Sequence, residues 1–178
     1  MNHIIAPDSA FGPESAIQNR IMVGMAQPSL GQPLIRDVRT EDIQRLYDID
    51  QICFPSYLAY SRAEFLSCLR HPLSVGKIAE VQGGVLGFGI ARLEVAAHAH
   101  VITLDVVPEA RRRKVGTRLI EALHQEFRKR GVTQVTLEVD TGNDAAQRFY
   151  QKMGYKRREL LRGYYKARND AYRMVLLL

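Results

Sequence analysis

Two cysteines in 178 residues, Cys53 and Cys68, are too few for a disulfide framework and give no sign of an oxidising compartment. No apolar run approaches the roughly 20 residues that a membrane-spanning helix needs. The first residues lack a basic start followed by an unbroken apolar core, so no signal peptide is read. The expectation is a soluble, cytoplasmic protein with no membrane partner. Neither GxxxxGK[ST] nor GxGxxG occurs, which argues against a P-loop and a dinucleotide fingerprint. Metal-ligand sets are also scarce. His98 and His100 stand two apart, but no Cys, Asp or Glu completes a convincing set, and no metal is expected.

What is present is ordinary globular composition, 46% hydrophobic and 25% charged, on a length that suits one domain. Charge is uneven. The net +6 combines −2 over residues 1–90 with +8 over 91–178. A basic half invites nucleic acid, an anionic small molecule or a solvated face, and charge alone does not choose.

Residues 1–33 hold Pro7, Pro13, Pro28 and Pro33 without sustained periodicity, and read as a loose N-terminal arm. Met22 and Met25 offer later starts within it. The domain runs from 34 to 178. It opens on a short strand at Leu34–Val38, then a helix capped by Thr40 with Ile43, Leu46, Ile49 and Ile52 as its apolar stripe, ended by Pro55. Ser61 and Glu64 form a capping box for a second helix. Ser74–Val81 and Val85–Val95 flank a Gln82-Gly83-Gly84 turn as a hairpin, and Ala99–Val107 is a further strand. Val115, Leu119, Ile120, Leu123 and Phe127 stripe a helix ended by Gly131. A strand at Val135–Val139, a helix closed by Gly154 and two last strands complete a single mixed α/β domain.

The most informative stretch runs from Leu104 to Thr117: strand, short basic loop, start of a long helix. Unpaired N–H groups and the helix dipole make such a junction a natural seat for a diphosphate. Arg111, Arg112, Arg113 and Lys114 add charge, Val115 and Thr117 flank Gly116, and that glycine would allow close backbone approach. Read alone, the basic run is equally a solvated turn or a nucleic-acid patch.

The stretch resembles motif A of the GNAT superfamily of N-acetyltransferases, V-x-P followed by [QR]-x-x-G-x-[GA]. Val106, Pro108, Arg111 and Gly116 match. Lys114 stands where the motif has its first glycine, which implies a backbone without positive φ there, or a reshaped loop. Leu137-Glu138-Val139, Asn143-x-x-Ala146-x-x-x-Tyr150 and Met153-Gly154-Tyr155 are similar to a block of the bacterial ribosomal-protein-alanine N-acetyltransferases. Gly163-Tyr164-Tyr165 and Asn169-Asp170-Ala171-Tyr172-x-Met174 resemble their ending, with Asn169 replacing an acid, and Phe54-Pro55 and Tyr60-Ser61 resemble their entry to the second helix.

The resemblance implies a central, mostly antiparallel twisted sheet, splayed at its fourth strand and flanked by about four helices. It implies transfer from acetyl-CoA to the N-terminal amine of a protein or peptide, a ribosomal protein among the candidates. Lysine or small amines stay open as acceptors, as do monomer and homodimer. Glu138 would be the base and Tyr150 the acid near the sulfur. Residues 111–117 would hold the diphosphate, Asn143 and the backbones of Leu104 and Val106 the pantetheine arm, and Tyr60, Tyr164 and Tyr165 the acceptor. An α-amine has a pKa near 8 and a lysine amine near 10.4, so neutral amine at pH 7 costs about 1.4 and about 4.6 kcal/mol. A modest base suffices for the first. An anionic coenzyme accounts for part of the basic surplus without a polynucleotide. The surplus at Arg157, Arg158 and Arg162 is left over.

Overall fold

The computed structural model describes residues 3–4, 31–54, 56, 58–165 and 169–178. Its elements are β1 (His3–Ile4), β2 (Leu34–Asp37), α1 (Ile43–Cys53), α2 (Arg62–Arg70), β3 (Ser74–Val81), β4 (Gly84–Glu94) and β5 (His98–Val106). Then follow α3 (Val115–Lys129), β6 (Gln134–Asp140), α4 (Asp144–Lys152), β7 (Lys156–Leu161) and β8 (Ala171–Leu177). One sheet runs β2-β3-β4-β5-β6-β8-β7. Every neighbouring pair on that path is antiparallel except β5 with β6. This is the mixed, mostly antiparallel architecture expected. Of the arm read over residues 1–33, only β1 and residues 31–33 fall among the described residues; Met22, Met25 and Pro55 lie outside them.

Each face of the sheet carries its own apolar core. On one face Leu119, Ile120, Leu123 and Phe127 of α3 pack with Val101, Val135 and Leu137. On the other, Leu46 and Ile49 of α1 and Phe65 of α2 pack with Ile78, Phe88 and Ile90. The α3 stripe is as the periodicity predicts, and the Ser61–Glu64 capping box is present.

The first helix differs from expectation. Thr40–Asp42 is a 3-10 turn with Arg39, not Thr40, at its cap, because the Asp42 carboxylate accepts from the Arg39 amide at 2.7 Å and pairs with Arg36. The buried stripe of α1 is Leu46, Ile49, Asp50 and Cys53, while Ile52 is 56% exposed. The buried face thus passes through Asp50 and Cys53 and leaves Ile52 outside it.

Candidate active site

β5 leads through a 3-10 turn, Pro108–Ala110, and a basic loop into α3. No side chain caps α3 among the described residues, so the first amides of the helix are open to an anion. Lys114 takes φ +63° and Arg112 φ +61°. The position where the motif has glycine therefore does adopt the left-handed backbone, with a lysine bearing its strain. Arg112, Arg113 and Lys114 are exposed; Arg111 is not, since its Nε donates to the Val106 carbonyl at 3.1 Å and braces the loop. At Gly116 an added Cβ would meet nothing nearer than Phe149 at 3.6 Å, so the protein itself does not demand glycine there. A hollow of about 540 Å³ lies beside Arg113, Lys114, Thr117 and Arg118.

β5 and β6 pair only from His98 to His100 against Gln134 to Thr136, and then part. Within the gap, β1 pairs in parallel with β5 at Thr103 and Leu104. The side chains of Leu104 and Val106 are buried in the α3-side core, leaving only backbone groups for any ligand.

On the α2 face a cavity of about 880 Å³ is floored by alternate residues of β4, β5 and β6 and reaches Arg173 of β8. Period-2 alternation places Glu138 here, opposite Val135, Leu137 and Val139. Glu138 is 2% exposed yet fully engaged. Arg173 Nε donates to its Oε1 at 3.0 Å, and the Tyr164 hydroxyl donates to Oε2 at 3.1 Å. His100 Nε2 stands 3.1 Å from Oε2. Hydrogen bonding to Glu138 raises the pKa of Arg173, and burial raises that of Tyr164. His98 and His100 both contact the Thr136 hydroxyl, at 2.9 and 3.0 Å, and His98 Nδ1 lies 2.9 Å from Glu94.

Tyr60 and Tyr164 line the cavity. Asp50 accepts the Tyr60 amide and Gln51 donates to the Tyr60 carbonyl, both at 3.0 Å, so the end of α1 holds Tyr60 in place. Burial pushes the Asp50 carboxyl up to about 7, and burial with the charge of Asp50 pushes Asp105 well up. Tyr165 departs from expectation. It is 4% exposed, turns its hydroxyl towards the Glu138 carbonyl at 3.5 Å, and does not line the cavity.

Tyr150 lies on the opposite face from Glu138, in the α3-side core, flanked by Phe149 and Tyr155. Its hydroxyl is buried with no hydrogen-bond partner among the described residues, and burial pushes its pKa well above 10. Asn143 caps α4 by accepting from the Ala146 amide at 3.0 Å. Of the surplus arginines, Arg157 stacks 4.5 Å over Tyr172 and donates to Gln147, Arg158 is exposed on the edge strand β7, where charge discourages strand pairing, and Arg162 is exposed in the turn after it.

Sequence reasoning missed His100 and Arg173 as partners of Glu138, and Thr136 as a partner of both histidines. The two histidines at i, i+2 signal one strand face; nothing local connects them to residue 138.

Residues 43–155 match the acetyltransferase (GNAT) family. An N-alpha-acetyltransferase of Sulfurisphaera tokodaii is 29% identical over 152 residues, spanning 79% of this chain and 90% of that one. The crystal structure of the Escherichia coli ribosomal-protein-S18-alanine N-acetyltransferase superposes with a TM-score of 0.75 at 28% identity, covering 82% of this chain and 93% of the other. Ard1 from Thermoplasma volcanium gives 0.76 at 30% identity, covering 83% and 98%.

Proposed function

The chain belongs to the GNAT acetyltransferase family, and from that premise we propose that it transfers the acetyl group of acetyl-CoA to the N-terminal α-amine of a protein or peptide. One observation carries the reading. A buried, hydrogen-bonded carboxylate on β6, just past its pairing with β5, and a buried phenol with no hydrogen-bond partner among the described residues lie on opposite faces of the sheet. Catalysis of acyl transfer to an amine needs a proton acceptor on the amine side and a donor on the sulfur side, and these two groups are of those kinds.

In this reading the acceptor amine enters the α2-side cavity and gives a proton to Glu138. Acetyl-CoA supplies the activated acetyl group. The open first turn of α3, with Arg112, Arg113 and Lys114, holds its diphosphate, and the β5 edge at Leu104 and Val106 holds its arm. Arg111 acts on the shape of that loop through Val106. Tyr150 donates a hydrogen bond to the thiolate as it develops. Full proton transfer from a phenol to a thiolate is uphill by about 2 kcal/mol from ordinary pKa values, and burial makes this phenol weaker still. The orphaned hydroxyl fits a sulfur atom beside it. Tyr60 and Tyr164 line the acceptor channel, with Tyr165 behind them.

The test is a pair of peptides, one with a free N-terminus and acetylated lysines, the other with a blocked N-terminus and free lysines. Mass spectrometry should find acetyl transfer to the first. Transfer to the second alone would reassign the acceptor.

A further inference from the structure

Acetylating an ammonium forms a C–N bond, breaks the C–S bond and strips two protons from nitrogen. One proton ends on the thiol; the other must reach solvent in every turnover. Glu138 is only 2% exposed, and a peptide filling the cavity above it closes the direct water route.

The floor of that cavity offers another exit. Glu138 Oε2 is 3.1 Å from His100 Nε2, His100 Nδ1 is 3.0 Å from the Thr136 hydroxyl, that hydroxyl is 2.9 Å from His98 Nε2, and His98 Nδ1 is 2.9 Å from Glu94 Oε2. Side-chain exposure rises from 2% at Glu138 to 14% at His100, 23% at His98 and 42% at Glu94. The five groups alternate across β6, β5 and β4, and both nitrogens of both rings are used. Arg173 and Tyr164 donate to Glu138 from its other side, and a guanidinium has no acceptor for the proton.

We propose that His100, Thr136, His98 and Glu94 relay the acceptor's proton from Glu138 to solvent. The inference rests on the acetyl transfer read above. A hydroxyl accepts and donates at once, and a neutral imidazole does the same through its two nitrogens, so the chain conducts in one direction at a time. The proton taken by Glu138 passes to His100 Nε2, and His100 Nδ1 gives its own hydrogen to Thr136. The hydroxyl hydrogen moves to His98 Nε2, and His98 Nδ1 delivers one to Glu94 and on to water. One hydrogen enters, one leaves, and Glu138 returns to its carboxylate. Thr136, His98 and Glu94 act through Glu138 and touch no reacting atom.

The experiment measures steady-state rates with saturating acetyl-CoA and peptide over a range of imidazole concentrations. Thr136→Val keeps the shape and removes the hydroxyl; Thr136→Ser keeps the hydroxyl. The valine variant should lose about tenfold in kcat with unchanged KM for both substrates, and recover as imidazole rises. His98→Gln should behave likewise. The serine variant should turn over near the wild-type rate and ignore imidazole. A valine variant as fast as wild type overturns the relay. So does one that melts like wild type but stays slow at every imidazole concentration. Should the wild-type chain acetylate only lysine peptides, the acceptor assigned above fails while the same rate comparison still decides the relay. Transfer to neither amine overturns both.

Discussion

On the α3 side of the β5–β6 gap, Arg112, Arg113, Lys114 and a helix start without a side-chain cap leave positive charge exposed and, among the described residues, unmatched. On the α2 side Glu138, Glu94 and Arg173 are each held by a partner, and Glu138 is buried. Unmatched donors suit a mobile polyanion that brings its own charge. Matched groups hold fixed positions, which is what moving a proton requires. Damage to the exposed basic loop should therefore appear in the KM for acetyl-CoA, and damage to the groups proposed to handle protons in kcat.

The largest expected effect breaks or keeps that division. Glu138→Gln removes the proposed base while preserving size, and kcat for peptide acetylation should fall by about 10²–10³ with the KM for acetyl-CoA near wild type. Tyr150→Phe should cost less, because the hydroxyl stabilises the leaving thiolate without surrendering its proton. Equal loss in KM from either would place both residues in binding and erase the contrast.

The intermediate effect tests the other side. Arg112→Gln with Arg113→Gln should raise the KM for acetyl-CoA several-fold, by about 1 kcal/mol of lost charge-assisted contact, and flatten its rise with salt. Rates at saturating acetyl-CoA should hold.

The smallest effect on rate is expected at Asp50, which holds Tyr60 in place and whose signature lies in stability. Asp50 is neutral in the folded protein up to about pH 7, whereas unfolded it ionises near 3.9. Its folded pKa is raised, so the stability it contributes is full below about pH 4 and lost as pH rises to about 7. Asp50→Asn keeps an acceptor for the Tyr60 amide and removes that titration. Thermal midpoints at pH 5 and pH 8 should lie closer together in the variant, by on the order of 1–2 kcal/mol in stability. An unchanged difference would show that Asp50 does not titrate in this range.

These two sides were unequally legible. Residues 104–117 are contiguous, so strand, loop, basic charge and helix start could be read in one pass, and the α3 stripe and the Ser61–Glu64 box were equally local. Even there the left-handed Lys114 and the inward turn of Arg111 were hidden, since both depend on where Val106 lies. The α2-side cavity draws on residues 60, 94–102, 136–138, 164 and 173, which strand register alone brings together. Alternation put Glu138 on the correct face, but its burial and its contacts with His100 and Arg173 follow from pairings that no short pattern records. Asp50 was invisible for another reason. Helical periodicity assigns faces by hydrophobicity, and a buried carboxyl that steadies a neighbouring loop reads as a surface residue.

β1 gives the gap one more property. Two residues of the chain's own N-terminal segment already lie along β5 at Thr103 and Leu104. A ligand arm laid along that edge must therefore replace a strand, trading one set of backbone bonds for another. Its apparent affinity equals its intrinsic affinity reduced by the fraction of molecules in which the edge stands open. Under the proposed reading, occupancy of the gap would be a competition settled within a single polypeptide, with the strength of that short pairing setting the concentration of coenzyme needed to fill it.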